Sequence, residues 1–156
     1  MHTRRIPLAL LGLFALAQLV PISRTNPPVE QEVAAPAEVR SVLERSCYDC
    51  HSHATRWPWY ARVAPASWLL AYDVSEGREH LNFSTWNRYD AEERAENLEE
   101  IDEMVSEGEM PPWFYLPLHV EASLSESDKA TLRAWTGSSG SGSGGHEHEH
   151  RHSGGS

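Results

Sequence analysis

The sequence predicts a small all-α domain, and three observations support this prediction. Apolar residues recur at spacings of three and four in several separate segments, whereas no stretch of four or more residues alternates convincingly between apolar and polar. Helix-capping residues precede two of these segments. The chain has 156 residues, which allows one domain of ordinary size with short appendages.

The first two predicted helices lie in the first half of the chain. Pro36 stands at a favourable first-turn position, and the helix that follows leads directly into Cys47. Its inward positions are Val39, Val42, Leu43 and Ser46. A second helix is predicted to begin near Ala66 and to fade by Gly77.

The last two predicted helices carry recognisable start and stop signals. Asp90 followed by Glu93 forms a capping box, and Gly108 is a helix stop. The final helix opens at Ser125, with Asp128 in its first turn. The inward positions of these two helices are Leu98, Ile101, Val105, Leu132 and Trp135. We expect long loops between the helices.

The N-terminal region predicts a membrane anchor followed by a spacer. A basic start that ends in Arg4 and Arg5 precedes an apolar run, so residues 1–22 are either a retained anchor helix or a cleaved signal. In both cases the arginines stay inside and the rest of the chain is exported. Residues 23–36 contain three prolines and read as a stalk.

The C-terminal region predicts a disordered tail. Residues 137–156 include 13 glycines or serines and four alternating histidines. Alternating histidines can bind nickel, zinc or copper weakly, but a natural low-complexity segment or a purification tag is the preferred explanation of the pattern. These assignments leave residues 37–136 as the folded domain.

Composition excludes several classes of protein. The net charge is −10, which argues against nucleic acid as a partner because phosphate binding needs a basic face. The two cysteines are too few for a disulfide scaffold. Six tryptophans are many for this length and suggest packing against something flat or large.

The chemistry is concentrated in the motif C-x-x-C-H, formed by Cys47, Cys50 and His51. This is the attachment signature of haem c. Two cysteines three apart on a helical turn bond the two vinyl groups of one haem, and the adjacent histidine reaches the iron. A redox dithiol would need a preceding strand, and a zinc site would need two further ligands.

Met110 is the predicted distal iron ligand. It follows the helix stop at Gly108 and precedes Pro111 and Pro112, which stiffen the loop and favour an extended backbone at Met110. The alternatives are His80 and His119. Two further candidates are less suitable, because one lies within a regular helix and the other lies too close to His51; they are Met104 and His53.

Other side chains near the motif have two interpretations each. Arg56 and Arg62 either pair with the haem propionates or are solvated surface residues. Two clusters of aromatic residues are expected to line the haem pocket and fill the core rather than to conduct electrons. They are Trp57, Trp59 and Tyr60, and Trp113, Phe114 and Tyr115.

The chain resembles the haem-binding domain family of small, membrane-anchored, single-haem relatives of cytochrome c. The matching stretches are RTNPP at 24–28, CYDCHSHATRWPWYARVAPASW at 47–68, GREHLNFSTWN at 77–87 and GEMPPWFYLPLH at 108–119. The resemblance implies a bacterial, exported protein that attaches haem at Cys47, Cys50 and His51. It also supports retention of the anchor.

The expected function is electron transfer by one covalently attached haem c, with His51 and Met110 as iron ligands. We expect the domain to lie on the outer side of a bacterial membrane and to meet a redox partner, for which the acidic run from Asp90 to Glu109 suggests a basic face. Two alternatives remain, a sensor or peroxidase-like enzyme in which Met110 dissociates, and a haem-carrying subunit of a membrane complex.

Overall fold

The computed structural model describes residues 5–140, and the regular secondary structure in that range is helical. Six α-helices are present there: α1 Arg5–Ala17, α2 Ala37–Ser46, α3 Tyr48–His51, α4 Ala66–His80, α5 Ala91–Glu107 and α6 Glu126–Gly140. Short 3-10 helices occupy parts of the connecting loops. No strand forms among the described residues, where Gln31 and Thr85 make an isolated bridge. The all-α prediction is therefore confirmed.

The predicted helix signals operate as expected in α5. The Asp90 side chain accepts from the backbone N–H of Glu93 at 2.9 Å, and the Glu93 carboxylate accepts from the N–H of Asp90 at 2.8 Å. Gly108 ends the helix with φ of 77°, a left-handed conformation that glycine adopts without strain. At the start of α6, Ser125 and Asp128 cap each other in the same reciprocal way.

The main core lies between α2, α5, α6 and the loop that follows α4. Helix α5 packs on α6, which also contacts α2. Arg45 on α2 pairs with Asp128 on α6 at 2.9 Å. The buried apolar residues of this core include Val39, Val42, Leu43, Phe83, Trp86, Leu98, Ile101, Val105, Leu132 and Trp135.

Two predicted boundaries were placed too early. Helix α4 does not fade at Gly77 but continues to His80, and Gly77 is buried within it. Helix α6 continues through Gly140, four residues into the segment predicted as tail. The rest of that tail, with its histidines, and the N-terminal residues 1–4 lie outside the described residues.

The segment predicted as a stalk lies against the domain. Val33 is 3% exposed and belongs to the main core, and its backbone N–H donates to the carbonyl of Phe83 at 3.0 Å. The Asn26 amide donates to the carbonyl of Thr55 at 2.9 Å. Residues 23–36 are thus a structural part of the domain.

The N-terminal helix carries an exposed apolar surface. Its large side chains are mostly exposed: Ile6, Leu8, Leu10, Leu11, Leu13, Phe14 and Leu16. Immediately after it, the Gln18 amide oxygen accepts from the backbone N–H of Ala64 at 2.9 Å. Within residues 5–140, none of the helices is both long enough and apolar enough to cross a membrane.

Candidate haem site

The motif Cys47–His51 forms a single helical turn at the end of α2. The N–H of Cys47 closes α2 by donating to the carbonyl of Leu43 at 2.8 Å. The N–H groups of Cys50 and His51 then donate to the carbonyl of Cys47 at 3.2 and 2.9 Å. Neither cysteine forms a disulfide. The turn therefore provides two free thiols, three residues apart, with the histidine directly after them.

The two thiols lie in different apolar environments. Cys47 packs against the main core. Cys50 packs against a second, smaller cluster made of Ala61, Leu70 and Val74, with Trp57 and Tyr60 partly buried beside it. Burial raises the pKa of Cys47 to about 12 and that of Cys50 to about 12. A thioredoxin-like dithiol needs a depressed pKa, so these thiols do not fit that alternative.

His51 is oriented as metal-binding histidines usually are. Its Nδ1 lies 3.1 Å from the carbonyl oxygen of Leu81. A carbonyl oxygen only accepts hydrogen bonds, so Nδ1 carries the proton and Nε2 keeps its lone pair for a metal. Burial also lowers the pKa of His51, which favours the neutral imidazole that binds iron. The edge of the ring packs against Phe83.

Helix α4 crosses the motif at Gly77. A Cβ atom built on Gly77 would lie 2.9 Å from the carbonyl oxygen of Cys50 and 3.1 Å from its Cβ. Those atoms are backbone or close to it and move little, so a side chain at position 77 would push α4 away from the motif. Glycine is needed here for close approach rather than for an unusual dihedral angle.

We expect Gly77→Ala to destabilise the domain by about 1–3 kcal/mol, because overpacking forces the backbones apart. This should lower the melting temperature by a few degrees and reduce the yield of haem-loaded protein. Gly137→Ala is the matched control, since no atom lies within 4 Å of the added Cβ on α6. Equal melting temperatures for the two variants would show that the contact at Cys50 is unimportant.

The predicted distal ligand lies at the surface after α5. Met110 is 38% exposed, and its N–H donates to the carbonyl of Met104 at 3.2 Å. Its contacts described here are thus with the end of its own helix. Iron ligation by Met110 remains a prediction.

The histidines considered as alternative iron ligands differ in how many of their ring nitrogens are already hydrogen-bonded to the protein. His53 Nδ1 lies 2.9 Å from the carbonyl of Pro28, and its Nε2 lies 3.0 Å from the Asn82 amide. His119 Nε2 is hydrogen-bonded to the Tyr60 hydroxyl. His80, at the end of α4, is exposed. Both ring nitrogens of His53 therefore have partners in the protein, and His53 has a structural role.

The aromatic side chains around the motif divide into packed and exposed members. Trp57 and Tyr60 pack against the cluster beside Cys50, as expected. Trp59 is 77% exposed and Trp113 is 80% exposed, so these two do not fill the core of the protein. Large exposed apolar groups of this kind suit a flat, apolar ligand better than water.

The comparison with known protein families decides the family. A family described as haem-binding domain matches residues 12–138. The chain belongs to this family. The match includes residues 12–36, most of the segment that sequence reasoning had placed outside the domain.

This haem-binding domain protein is similar in sequence to part of a longer curated protein. The chain is 24% identical over 120 residues to a protein named cytochrome c peroxidase Ccp from Escherichia coli (strain K12). That match covers 72% of this chain and 26% of the relative. The chain thus spans about a quarter of the relative's length. No solved structure gives a significant match.

The residues of this haem-binding domain protein fit a haem. One ring nitrogen of His51 is fixed by the carbonyl of Leu81, two unpaired thiols lie one turn apart, and the loops nearby carry exposed apolar groups. Among the described residues, no group of three or more His, Cys, Asp and Glu side chains could hold a bare metal ion.

Sequence reasoning missed the polar side chains that support the site. Arg78 donates to the carbonyls of Ser52 and Thr25 and to the Thr55 hydroxyl, at 2.8, 3.0 and 2.9 Å. It therefore ties residues after the motif to the segment before α2. Arg56, a candidate for the haem propionates, instead pairs with Asp49 of the motif at 3.1 Å. No local pattern marks such long-range pairs.

Proposed function

We propose that this protein is an exported, membrane-anchored cytochrome c with one haem, and that it transfers electrons. The observation that carries the proposal is the state of His51 within C-x-x-C-H, whose Nδ1 is hydrogen-bonded to the carbonyl of Leu81 at 3.1 Å and which directly follows the two cysteines. The same turn offers Cys47 and Cys50 as unpaired thiols. Membership of the haem-binding domain family supports the cofactor.

Each site residue has a distinct role in this proposal. Cys47 and Cys50 would hold the haem by thioether bonds, and His51 and Met110 would be the two protein ligands of its iron. The haem supplies a one-electron couple between ferrous and ferric iron. With both histidine and methionine as ligands, the iron would have no open site for a substrate, and the methionine would raise the reduction potential.

A second function is a sensor or peroxidase-like enzyme in which Met110 leaves the iron. The similarity to a protein named cytochrome c peroxidase favours this candidate, as does the surface position of Met110. Against it, no His–Arg pair suited to peroxide cleavage is evident in the sequence near Met110.

One set of spectra separates the two functions. An electron carrier should be low-spin in both oxidation states, show the weak red-edge band of methionine-bound ferric iron, and bind carbon monoxide poorly. A sensor or peroxidase should show high-spin iron, should bind carbon monoxide readily, or should consume peroxide at a measurable rate. Either of the last two results would overturn the electron-carrier assignment.

The proposed anchor would hold the domain close to the membrane. Helix α1 is apolar and exposed, and the chain that follows it is hydrogen-bonded to the domain at Ala64 through Gln18 and at Ala61 through Arg24. A carrier seated in this way has a high effective concentration near membrane oxidoreductases. The short connection between helix α1 and the domain restricts the distance over which the domain can move from the membrane.

The acidic surface of α5 suggests a basic redox partner. Between Asp90 and Glu109 there are ten acids and one base, Arg94. The exposed members on and beside the helix are Glu92, Glu93, Glu96, Glu99, Glu100, Glu103, Glu107 and Glu109. Such a one-signed surface speeds association with an oppositely charged protein, or it is simply a solvated helix face.

We expect electron transfer with a basic partner to slow roughly tenfold or more between low and physiological ionic strength. Stopped-flow measurements of the bimolecular rate against salt test this. The double variant Glu99→Gln, Glu103→Gln should flatten the dependence. Glu38→Gln with Glu44→Gln removes the same charge from α2 and should change it less. Rates that stay flat with salt would leave α5 as a solvated face.

A further inference from the structure

Asp49, inside the attachment motif, is almost fully engaged by protein donors. Its Oδ1 accepts from the backbone N–H and the Nε of Arg56 at 2.9 and 3.2 Å. Its Oδ2 accepts from Arg56 Nη2 at 3.1 Å and from the Tyr115 hydroxyl at 3.0 Å. The carboxylate is only 14% exposed. Hydrogen bonds to a shielded, ionised group are among the stronger ones in proteins.

Tyr115 connects this carboxylate to the loop that carries Met110. It lies 66 residues after Asp49 and five after Met110. Its N–H donates to the carbonyl of Pro112 at 3.0 Å, and its ring stacks on His119 at 4.0 Å with an angle of 4° between planes. Burial, reinforced by the charge of Asp49, raises the pKa of Tyr115, so the hydroxyl remains a donor.

A second contact ties the same loop to the surroundings of Cys50. The His119 ring is hydrogen-bonded to the hydroxyl of Tyr60, and Tyr60 packs on the cluster that contains Cys50. The segment 115–119 is therefore held at one end to Asp49 of the motif and at the other end to Tyr60 beside Cys50. Met110 itself contacts the end of its own helix, where its N–H donates to the carbonyl of Met104.

We propose that Asp49 and Tyr115 are a positioning pair, which holds the loop after Met110 on the motif helix and so controls whether Met110 could serve as an iron ligand. This inference rests on the proposed function. The pair touches neither the iron nor a substrate. It acts by joining the proximal motif to the distal loop through one hydrogen bond between side chains.

The test is Tyr115→Phe in the full-length, haem-loaded protein. The substitution removes one hydroxyl and leaves the stacked ring. A hydrogen bond to a largely shielded carboxylate contributes enough that its loss should raise the fraction of open loop roughly ten- to hundredfold. The red-edge band of the ferric protein should weaken. The apparent dissociation constant for carbon monoxide should fall by the same factor, since affinity scales with the competent fraction.

Two further measurements distinguish positioning from general loss of structure. Haem content and the proximal His51 signals should stay unchanged, while hydrogen exchange should accelerate in peptides covering 111–119.

Asp49→Ala should act in the same direction, and the double variant should be no worse than the more affected single variant, because the two residues act through each other. Tyr72→Phe, at a tyrosine that is 61% exposed, is the control and should behave as wild type.

The outcomes separate this inference from the proposed function. If wild type shows the band and Tyr115→Phe retains it with unchanged carbon monoxide binding, the positioning role is wrong and Met110 ligation stands. Additive effects in the double variant would also overturn the pair. If wild type lacks the band, Met110 ligation itself is wrong, and the role of the pair falls with it.

Discussion

His51→Ala should prevent a stable haem-loaded product from accumulating. The substitution removes the imidazole whose Nδ1 is fixed by Leu81, and with it the proposed proximal iron ligand. Since disturbing only the outer partners of a metal-binding histidine costs about 10–100-fold in affinity, loss of the ligand itself should lower haem content by more than tenfold. Pyridine haemochrome absorbance per mole of purified protein measures this directly.

Three variants define the specificity of that result. Cys47→Ala and Cys50→Ala should each lower haem retention less severely, because one thioether bond and the histidine remain. His53→Ala is the matched control, since His53 lies two residues away and its ring is bonded to Pro28 and Asn82. If His51→Ala carried as much haem as His53→Ala, the proximal assignment would be wrong.

The same variants test whether haem is part of the core. A domain of this size buries a limited apolar surface without help, and exposed groups such as Trp59 and Trp113 suggest that haem covers some of the remainder. Protein made without haem attachment should therefore melt at a lower temperature than the loaded protein. Equal melting temperatures would show that the helices are stable by themselves.

The helices were predictable from sequence because their signals are local. The capping box of Asp90 and Glu93, the stop at Gly108 and the reciprocal cap of Ser125 and Asp128 are each formed within four residues. The turn that carries Cys47 and His51 was predictable for the same reason. Local sequence determines these features with little help from the rest of the chain.

Features that depend on distant residues were not predictable. Gly77 looked like a helix stop but is an interior contact, because its partner Cys50 lies on another helix. Residues 23–36 looked like a stalk because the segment is dominated by prolines and acids, and a single buried residue, Val33, gives no periodic pattern. The link between Asp49 and Tyr115 joins two positions that nothing in the local pattern relates. Tertiary packing, rather than propensity, decides such cases.

Met110→Ala should leave haem covalently attached while it opens the distal side of the iron. Cys47, Cys50 and His51 are untouched by this substitution, and the side chain at position 110 is at the surface, so folding should be little affected. The red-edge band should disappear, high-spin features should appear, and apparent affinity for carbon monoxide should rise by at least about tenfold as the fraction of open sites increases.

Met110→His is the complementary variant. An imidazole at this position should keep the iron six-coordinate and low-spin, but should lower the reduction potential because it favours ferric iron more than a thioether does. Redox titration of wild type and both variants, with and without carbon monoxide, measures both effects together. An unchanged low-spin spectrum of Met110→Ala in both oxidation states would place the ligand elsewhere. His80 would then be the stronger candidate, because it is exposed at the end of α4 whereas His119 is hydrogen-bonded to Tyr60.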